Sequence, residues 1–484
     1  MEISIKRRII NTFNRLPRSV QKGTAAALRR IPNNLVLGRD YAAVRRLLDE
    51  TREFDRERVR EYQFERFREI YTHAVRNIPF YTKWYGEHGL DENSVQSPED
   101  IAALPLLDKE RVRRHLEEMT WPDFPEKKRV RTKTGGTTGF PMVFYVERAG
   151  VQAQYAFMHD LWKRVDFRPR DRMISMARSE YNLKRGGLRQ FFNPRDNLVC
   201  VSLDDLNRGT VKKYVDFFRE IRPRFLLIYS STLFILTQLM REAGLSLPPL
   251  RAILLHAQKQ LAGQREIIER DTGCPQFLHY GQAERVILAA PCEHSRDYHV
   301  VPEYGWTELV DRDGGVIEGA GRAGELVGTG FFNRVMPLIR YRTGDFAQRR
   351  ENQDCPCGRP QEILSGLRGR AQHFLVLPDG SYKGCDPGVG IFSLFAEYGR
   401  GFQLVQEEPG KITVRLAPLA SNPPDYQQKI RPALQDQYFG PLEFEIVETD
   451  ELELTDSGKP RFLIQKLKTP MEKDRSVTYW LDDE

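Results

Sequence analysis

The chain has 484 residues, 40% hydrophobic and 29% charged, with a formal net charge of +7; this is too apolar for a disordered chain, and the length suits about three average domains. No run approaches the roughly 18 unbroken apolar residues of a membrane span, and the best, residues 225–240, is interrupted by Ser230, Ser231 and Thr232. Six cysteines are too few for a disulfide framework, and Met1-Glu-Ile-Ser-Ile-Lys-Arg-Arg is followed by no apolar segment of a secretory signal, so a cytoplasmic location is expected.

Residues 1–38 form a basic arm. They hold Lys6, Arg7, Arg8, Arg15, Arg18, Lys22, Arg29 and Arg30 against Glu2 alone, which accounts for the whole net charge. Two uses fit: a solvated arm packing its own Ile and Leu residues on the body, or a peripheral contact with anionic lipid. No zinc-finger, RNP or KH pattern occurs, so a nucleic-acid partner is not expected.

Residues 40–120 read as helices. Phe64, Phe67, Ile70, Tyr71 and Val75 recur near the helical period, a stripe facing a core, and Asn77-Ile-Pro-Phe-Tyr breaks it. Residues 99–109 read as a short helix, a turn and another helix start. From about residue 128 short apolar strands alternate with amphipathic helices. Residues 173–176, 198–201, 225–229, 252–255 and 276–280 are the strands, and 211–221 and 233–242 are helices between them. That alternation predicts an α/β fold with a largely parallel sheet and a ligand site beyond the strands' carboxyl ends. Residues 300–350 turn to Gly-punctuated β segments, and a smaller α+β unit runs from about 369 to the end.

Four motifs carry chemistry. Thr132-Lys-Thr-Gly-Gly-Thr-Thr-Gly-Phe-Pro is rich in backbone N–H and hydroxyl donors, which suits polyphosphate, yet Phe140 and Pro141 replace the Lys-Ser/Thr of a Walker A loop. His279-Tyr-Gly-Gln-Ala-Glu-Arg offers a ring for a base and a carboxylate for Mg²⁺. Pro337-Leu-Ile-Arg-Tyr-Arg-Thr-Gly-Asp ends on an acid able to accept from ribose hydroxyls, and Leu454-Thr-Asp-Ser-Gly-Lys-Pro-Arg carries a lysine for a phosphate. Alone, each also reads as an ordinary turn.

Together and in this order, over roughly residues 55–470, they resemble the adenylate-forming superfamily, in particular its phenylacetate-CoA ligase branch. Asn77-Ile-Pro-Phe-Tyr, Leu104-Pro-Leu-Leu-Asp-Lys, Tyr280-Gly-Gln-Ala-Glu-Arg-Val and Arg340-Tyr-Arg-Thr-Gly-Asp are similar to CapK-like proteins of capsular polysaccharide synthesis. The resemblance implies a large ATP- and acyl-binding domain over 39–368 and a small mobile domain over 369–484. It implies an AMP-forming ligase acting on a small-molecule carboxylic acid, with ATP and Mg²⁺, and with CoA or another acyl acceptor. Thr134, Gly135, Gly136, Thr137, Thr138 and Gly139 would hold the ATP phosphates. Tyr280 with Gly281 would pack on adenine, beside Ala257 and Gln258, and Glu284 would ligate Mg²⁺. Asp345 and Arg370 would bind ribose, and Lys459 would bridge the α-phosphate and the acid. The chain departs from the superfamily at the hinge, where Arg370-Ala-Gln-His lacks the usual acid, and at Met142, where many members have lysine.

One further cluster is visible. Cys292, His294, Cys355 and Cys357 form two short hooks that could build a structural Zn²⁺ site, with His299 a competing ligand. His256 and His279 fall at strand ends, where a histidine is more often a wall residue than a base.

Overall fold

The computed structural model describes residues 12–134, 142–177, 184–203, 206–255, 260, 264–368, 374–379, 382–384, 395, 397–454 and 461–467. Two compact units divide the chain: residues 1–30, 170–277 and 371–484 form one, and residues 31–169 and 278–370 the other. The architecture is mixed α/β with a parallel-rich sheet, as expected from the alternation of strands and helices.

The first unit is built on a seven-stranded sheet. Its centre is parallel, in the order Leu198–Val201, Met173–Met176, Phe225–Ile228, Ala252–Leu255. Met173–Met176 and Ala252–Leu255 are buried along their whole length, because helices such as Val211–Ile221 and Ser230–Glu242 accompany the parallel strands. The antiparallel strand Leu188–Asn193 pairs with Leu198–Val201. Asn14 and Arg18 of the basic arm lie against this unit: Asn14 Nδ2 donates to Phe192 O (3.0 Å), Phe192 N–H donates to Asn14 Oδ1 (2.5 Å), and Arg18 donates to Gln190 (3.1 Å) and pairs with Glu220. The described part of the arm is thus tied to the body. The C-terminal residues of this unit add a sheet in the order Glu443–Glu448, Lys411–Pro418, Gly399–Glu408, Leu463–Gln465 and the helix Tyr426–Leu434.

The second unit has another seven-stranded sheet whose pairings are all antiparallel. Its order is Tyr280–Gly281, Leu288–Ala290, Tyr298–Val300, Ile363–Arg368, Tyr341–Arg349, Ala323–Gly330, Gly305–Val310. The helix Arg56–Asn77 starts where Asp55 accepts from Arg58 N–H (2.9 Å). It ends at Ile78, held extended by the following proline, and Pro79 then opens the helix Pro79–Gly86 at its first position. Phe67, Ile70, Tyr71 and Val75 of the expected stripe are buried, joined by Tyr81, Trp84 and Tyr85 against Val286, Leu326 and Ile339 of the sheet side. Among the described residues no helix is long and apolar enough to cross a membrane.

Candidate active site

The sheet of the second unit gathers three of the motif residues. Tyr280 lies on its edge strand, and its hydroxyl donates to Asp345 Oδ2 (2.9 Å) while accepting from Gln282 Nε2 (2.7 Å). Burial, with the facing Asp345 carboxylate, pushes the Tyr280 phenol well above its ordinary pKa, so it stays a donor. Glu284 follows in the turn and is buried; Tyr341 Oη donates to its Oε1 (3.1 Å) and lies 3.9 Å from Met142 Sδ. Met142 N–H in turn donates to Thr134 Oγ1, and Thr134 N–H to Met142 O, each 2.9 Å. Thr134 and Met142, which flank residues 135–141, are therefore side by side, and Met142 is linked through Tyr341 to the Glu284 carboxylate.

Local backbone geometry explains why these side chains meet. The turn at Arg285 has φ +58° and presses its backbone on Gly305 and Gly330, where an added Cβ would strike the carbonyl oxygens of Val286 and Arg285. A side chain at either position would push the Glu284 turn off the sheet. Asp345 is set by a second device. A bulge between Glu325 and Val327 meets Gly344 at φ +73°, whose N–H donates to Glu325 Oε1 (3.0 Å). Thr343 Oγ1 donates to Leu326 O (2.7 Å) and accepts from Asp345 N–H (3.0 Å).

The start of that strand is anchored by Arg340, 1% exposed and at φ +48°, forked onto the Glu308 carboxylate (3.1 and 2.9 Å) and donating to Ala102 and Leu104 carbonyls. Burial pushes Glu308 upward, opposed by the Arg340 charge. Removing one member would strand a buried charge, at about 3–5 kcal/mol.

Gly135, Gly136, Thr137, Thr138, Gly139, His256, Ala257, Gln258, Arg370 and Lys459, with the hinge stretch 370–373, lie outside the described residues. The cysteine motif is brought together with one exchange. Cys292, His299, Cys355 and Cys357 present ligand atoms all within 4.8 Å of one another. His294 is exposed, and its backbone N–H closes the turn over Cys292 Sγ (3.3 Å); the strand Tyr298–Val300 delivers His299 in its place. Burial and the guanidiniums of Arg164, Arg359 and Arg350 push His299 down to about 4, so its ring is neutral at pH 7.

Sequence reasoning passed over Tyr341, Gln282, Glu308 and Glu325. Tyr341 and Gln282 stood inside quoted motifs. Glu308 and Glu325 stand inside the apolar strands Gly305–Val310 and Ala323–Gly330, and an acid there signals a cationic partner, found as the buried Arg340 and the half-exposed Arg342.

The structure of 2-hydroxyisobutyryl-CoA ligase in the postadenylation state, in complex with R3-HIB-AMP, superposes with a TM-score of 0.67 at 19% identity, covering 84% of this chain and 89% of that one. The fold is that of the adenylate-forming enzymes. Sequence relatives narrow the likeness. A phenylacetate-coenzyme A ligase of Pseudomonas putida is 25% identical over 344 residues, 70% of this chain and 76% of its own. Protein CapK of Staphylococcus aureus is 23% identical over 428 residues, 84% of this chain and 89% of its own. No protein-family model matches the chain. Its likeness is to the phenylacetate-CoA ligase branch of the adenylate-forming superfamily, CapK included, and the class to which those relatives point is an AMP-forming ligase.

Proposed function

We propose that the protein activates a small-molecule carboxylic acid as its acyl-adenylate, releasing pyrophosphate from ATP, and passes the acyl group to CoA or another acceptor. The observation that carries this reading is the convergence of Tyr280, Glu284 and Asp345 on one sheet, with the base of the Gly/Thr loop joined to Glu284 through Tyr341.

When a carboxylate approaches the α-phosphorus, two anions meet, so catalysis depends on cations and donors placed where charge gathers. In this reading Lys459 neutralises the acid and the α-phosphate in the transition state. Thr134 and residues 135–139 hold the other phosphates. Glu284 suits Mg²⁺: it is a buried carboxylate already orientated by the Tyr341 hydroxyl, and the ion would supply charge neutralisation at the phosphates. Asp345, aimed by Tyr280, accepts from the ribose hydroxyls, a task this reading shares with Arg370, and adenine binding is assigned to Tyr280, Gly281, Ala257 and Gln258. The acid is already ionised at pH 7, so no general base is required.

Residues 369–484 then act as the small domain that carries Lys459 in and out, turning about 370–373. The division between compact units falls between Arg370 and Ala371, where this reading sets the hinge, and residues 371–484 share their unit with 1–30 and 170–277. CoA as acceptor is supported by the relatives named as CoA ligases, and an amine or hydroxyl of a saccharide precursor, in capsular polysaccharide synthesis, by the CapK likeness. Pyrophosphate exchange driven by pooled acids tests adenylation, and thioester formation against hydroxamate or amide formation tests the acceptor. Binding of ATP without exchange for any pool would move the assignment to AMP transfer or to a non-catalytic ATP-binding protein, a reading that the missing hinge acid favours.

A further inference from the structure

Outside the nucleotide site, one cluster of side chains has no part in the chemistry above. We propose that Cys292, His299, Cys355 and Cys357 bind a single structural zinc ion that fastens the 291–297 turn to the 350–362 connection of the antiparallel sheet.

The separations fit an ion at the centre. Tetrahedral zinc with Zn–S near 2.3 Å and Zn–N near 2.0–2.1 Å puts its ligand atoms roughly 3.5–3.8 Å apart. Cys292 and Cys355 sulfurs are 3.5 Å apart, Cys357 Sγ and His299 Nε2 are 3.9 Å apart, and no pair exceeds 4.8 Å. A disulfide between Cys292 and Cys355 would need the sulfurs near 2.05 Å and would leave Cys357 and His299 without a role.

His299 supplies an independent observation. It is fully buried, and its Nε2, the nitrogen turned to the cluster, faces Cys357 Sγ at 3.9 Å, a distance too long for a strong bond. A buried imidazole so poorly satisfied is costly, and a metal ion is the partner that the surrounding sulfurs are placed to share.

The surroundings suit thiolates. His294 N–H donates to Cys292 Sγ (3.3 Å), and the Arg359 guanidinium, forked onto Glu293 (2.7 and 2.9 Å), brings its positive charge to Cys357. Gly358, at φ +70°, turns the chain behind Cys355-Pro-Cys357, its N–H on Cys355 O (2.9 Å). Three thiolates and a neutral imidazole around Zn²⁺ carry a net charge of −1, offset by Arg359 and by Arg164, which holds the carbonyls of Ala290 and Pro291 (2.8 and 2.7 Å). Soft sulfur donors select zinc over magnesium or calcium, and four protein ligands leave no open position, which makes the role structural.

The fold gives the staple something to hold. His299 pairs with Ile363 across the sheet, and Leu288–Ala290 connects its strand to Tyr280–Gly281. The ion would fix the two loops at the sheet margin that carries the tyrosine.

The test measures metal on the full-length chain purified without chelator. Elemental analysis should find zinc at one per chain. Cys355→Ser/Cys357→Ser and His299→Asn should lose it, and His294→Ala and Cys274→Ser should keep it. Because the cysteine variants could misfold, the wild type provides the second reading. Alkylation should spare Cys292, Cys355 and Cys357 until a chelator strips the ion, the melting temperature should fall on stripping, and Co²⁺ should restore it with a tetrahedral d–d spectrum. A chain that neither retains nor takes up zinc overturns the proposal. So do a Cys292–Cys355 disulfide in the protein as purified, iron in place of zinc, or full zinc in His299→Asn.

Discussion

The two seven-stranded sheets divide the work of the molecule. In the parallel sheet the central strands are apolar on both faces, and Met173–Met176 and Ala252–Leu255 are buried throughout. In the antiparallel sheet the interior is threaded with charge. Every buried carboxylate among the described residues, Glu284, Glu303, Glu308, Glu325 and Asp345, lies in its unit. A parallel sheet covered by helices gains stability from burial alone and tolerates no unpartnered charge. An antiparallel sheet with bulges and glycine turns can hold polar groups at fixed angles, with a partner for each, and so can support a site for a charged nucleotide. Substitutions of charged residues in the antiparallel sheet's unit should therefore divide in two, those in the Arg340–Glu308 pair touching stability and those at the site touching chemistry, while the parallel sheet answers only to packing.

The largest effect is expected at the Arg340–Glu308 pair. Arg340→Met should cost about 3–5 kcal/mol in urea unfolding, and the double variant with Glu308→Leu should recover most of it, because the isolated carboxylate and not the lost pair is what destabilises. Glu284→Gln should next lower pyrophosphate exchange by about 10²-fold or more, while unfolding changes by less than ~1 kcal/mol, since the amide can still accept from Tyr341. Asp345→Asn should raise KM for ATP by about 10-fold to 100-fold, read from exchange rates against ATP concentration. Tyr280→Phe keeps the ring and removes the bond that aims Asp345, so KM for ATP should rise by only about 2-fold to 10-fold. The smallest change serves as the control in the other sheet. Ile253→Val should cost about 0.5–1.5 kcal/mol of stability and leave the exchange kinetics at their wild-type values.

The same contrast decides what could be read from the chain. The parallel strands announce themselves as four-residue apolar runs, and 173–176, 198–201 and 252–255 are found within the bounds expected. The helix 211–221 agrees as well, and 233–242 starts three residues earlier, at Ser230. Proline at position 79 reads as a break but also begins a helix, because its fixed φ suits a first turn. The antiparallel sheet is harder. That Tyr280, Glu284 and Asp345 share a sheet follows from pairings between strands far apart in sequence, which periodicity does not reveal. Glu308 and Glu325 signal a cation but not which one, since Arg340 and Arg342 stand 32 and 17 residues away. The cysteine hooks were visible, but the histidine that joins them is set by strand pairing, and this brings in His299 while His294 faces outward.

The most direct test of the central claim is acid-dependent ATP–pyrophosphate exchange with Mg²⁺ across pooled carboxylic acids, run beside Lys459→Ala. Exchange is expected with at least one pool and is abolished in Lys459→Ala while ATP still binds. Exchange with no pool, or exchange undiminished in Lys459→Ala, would contradict that claim.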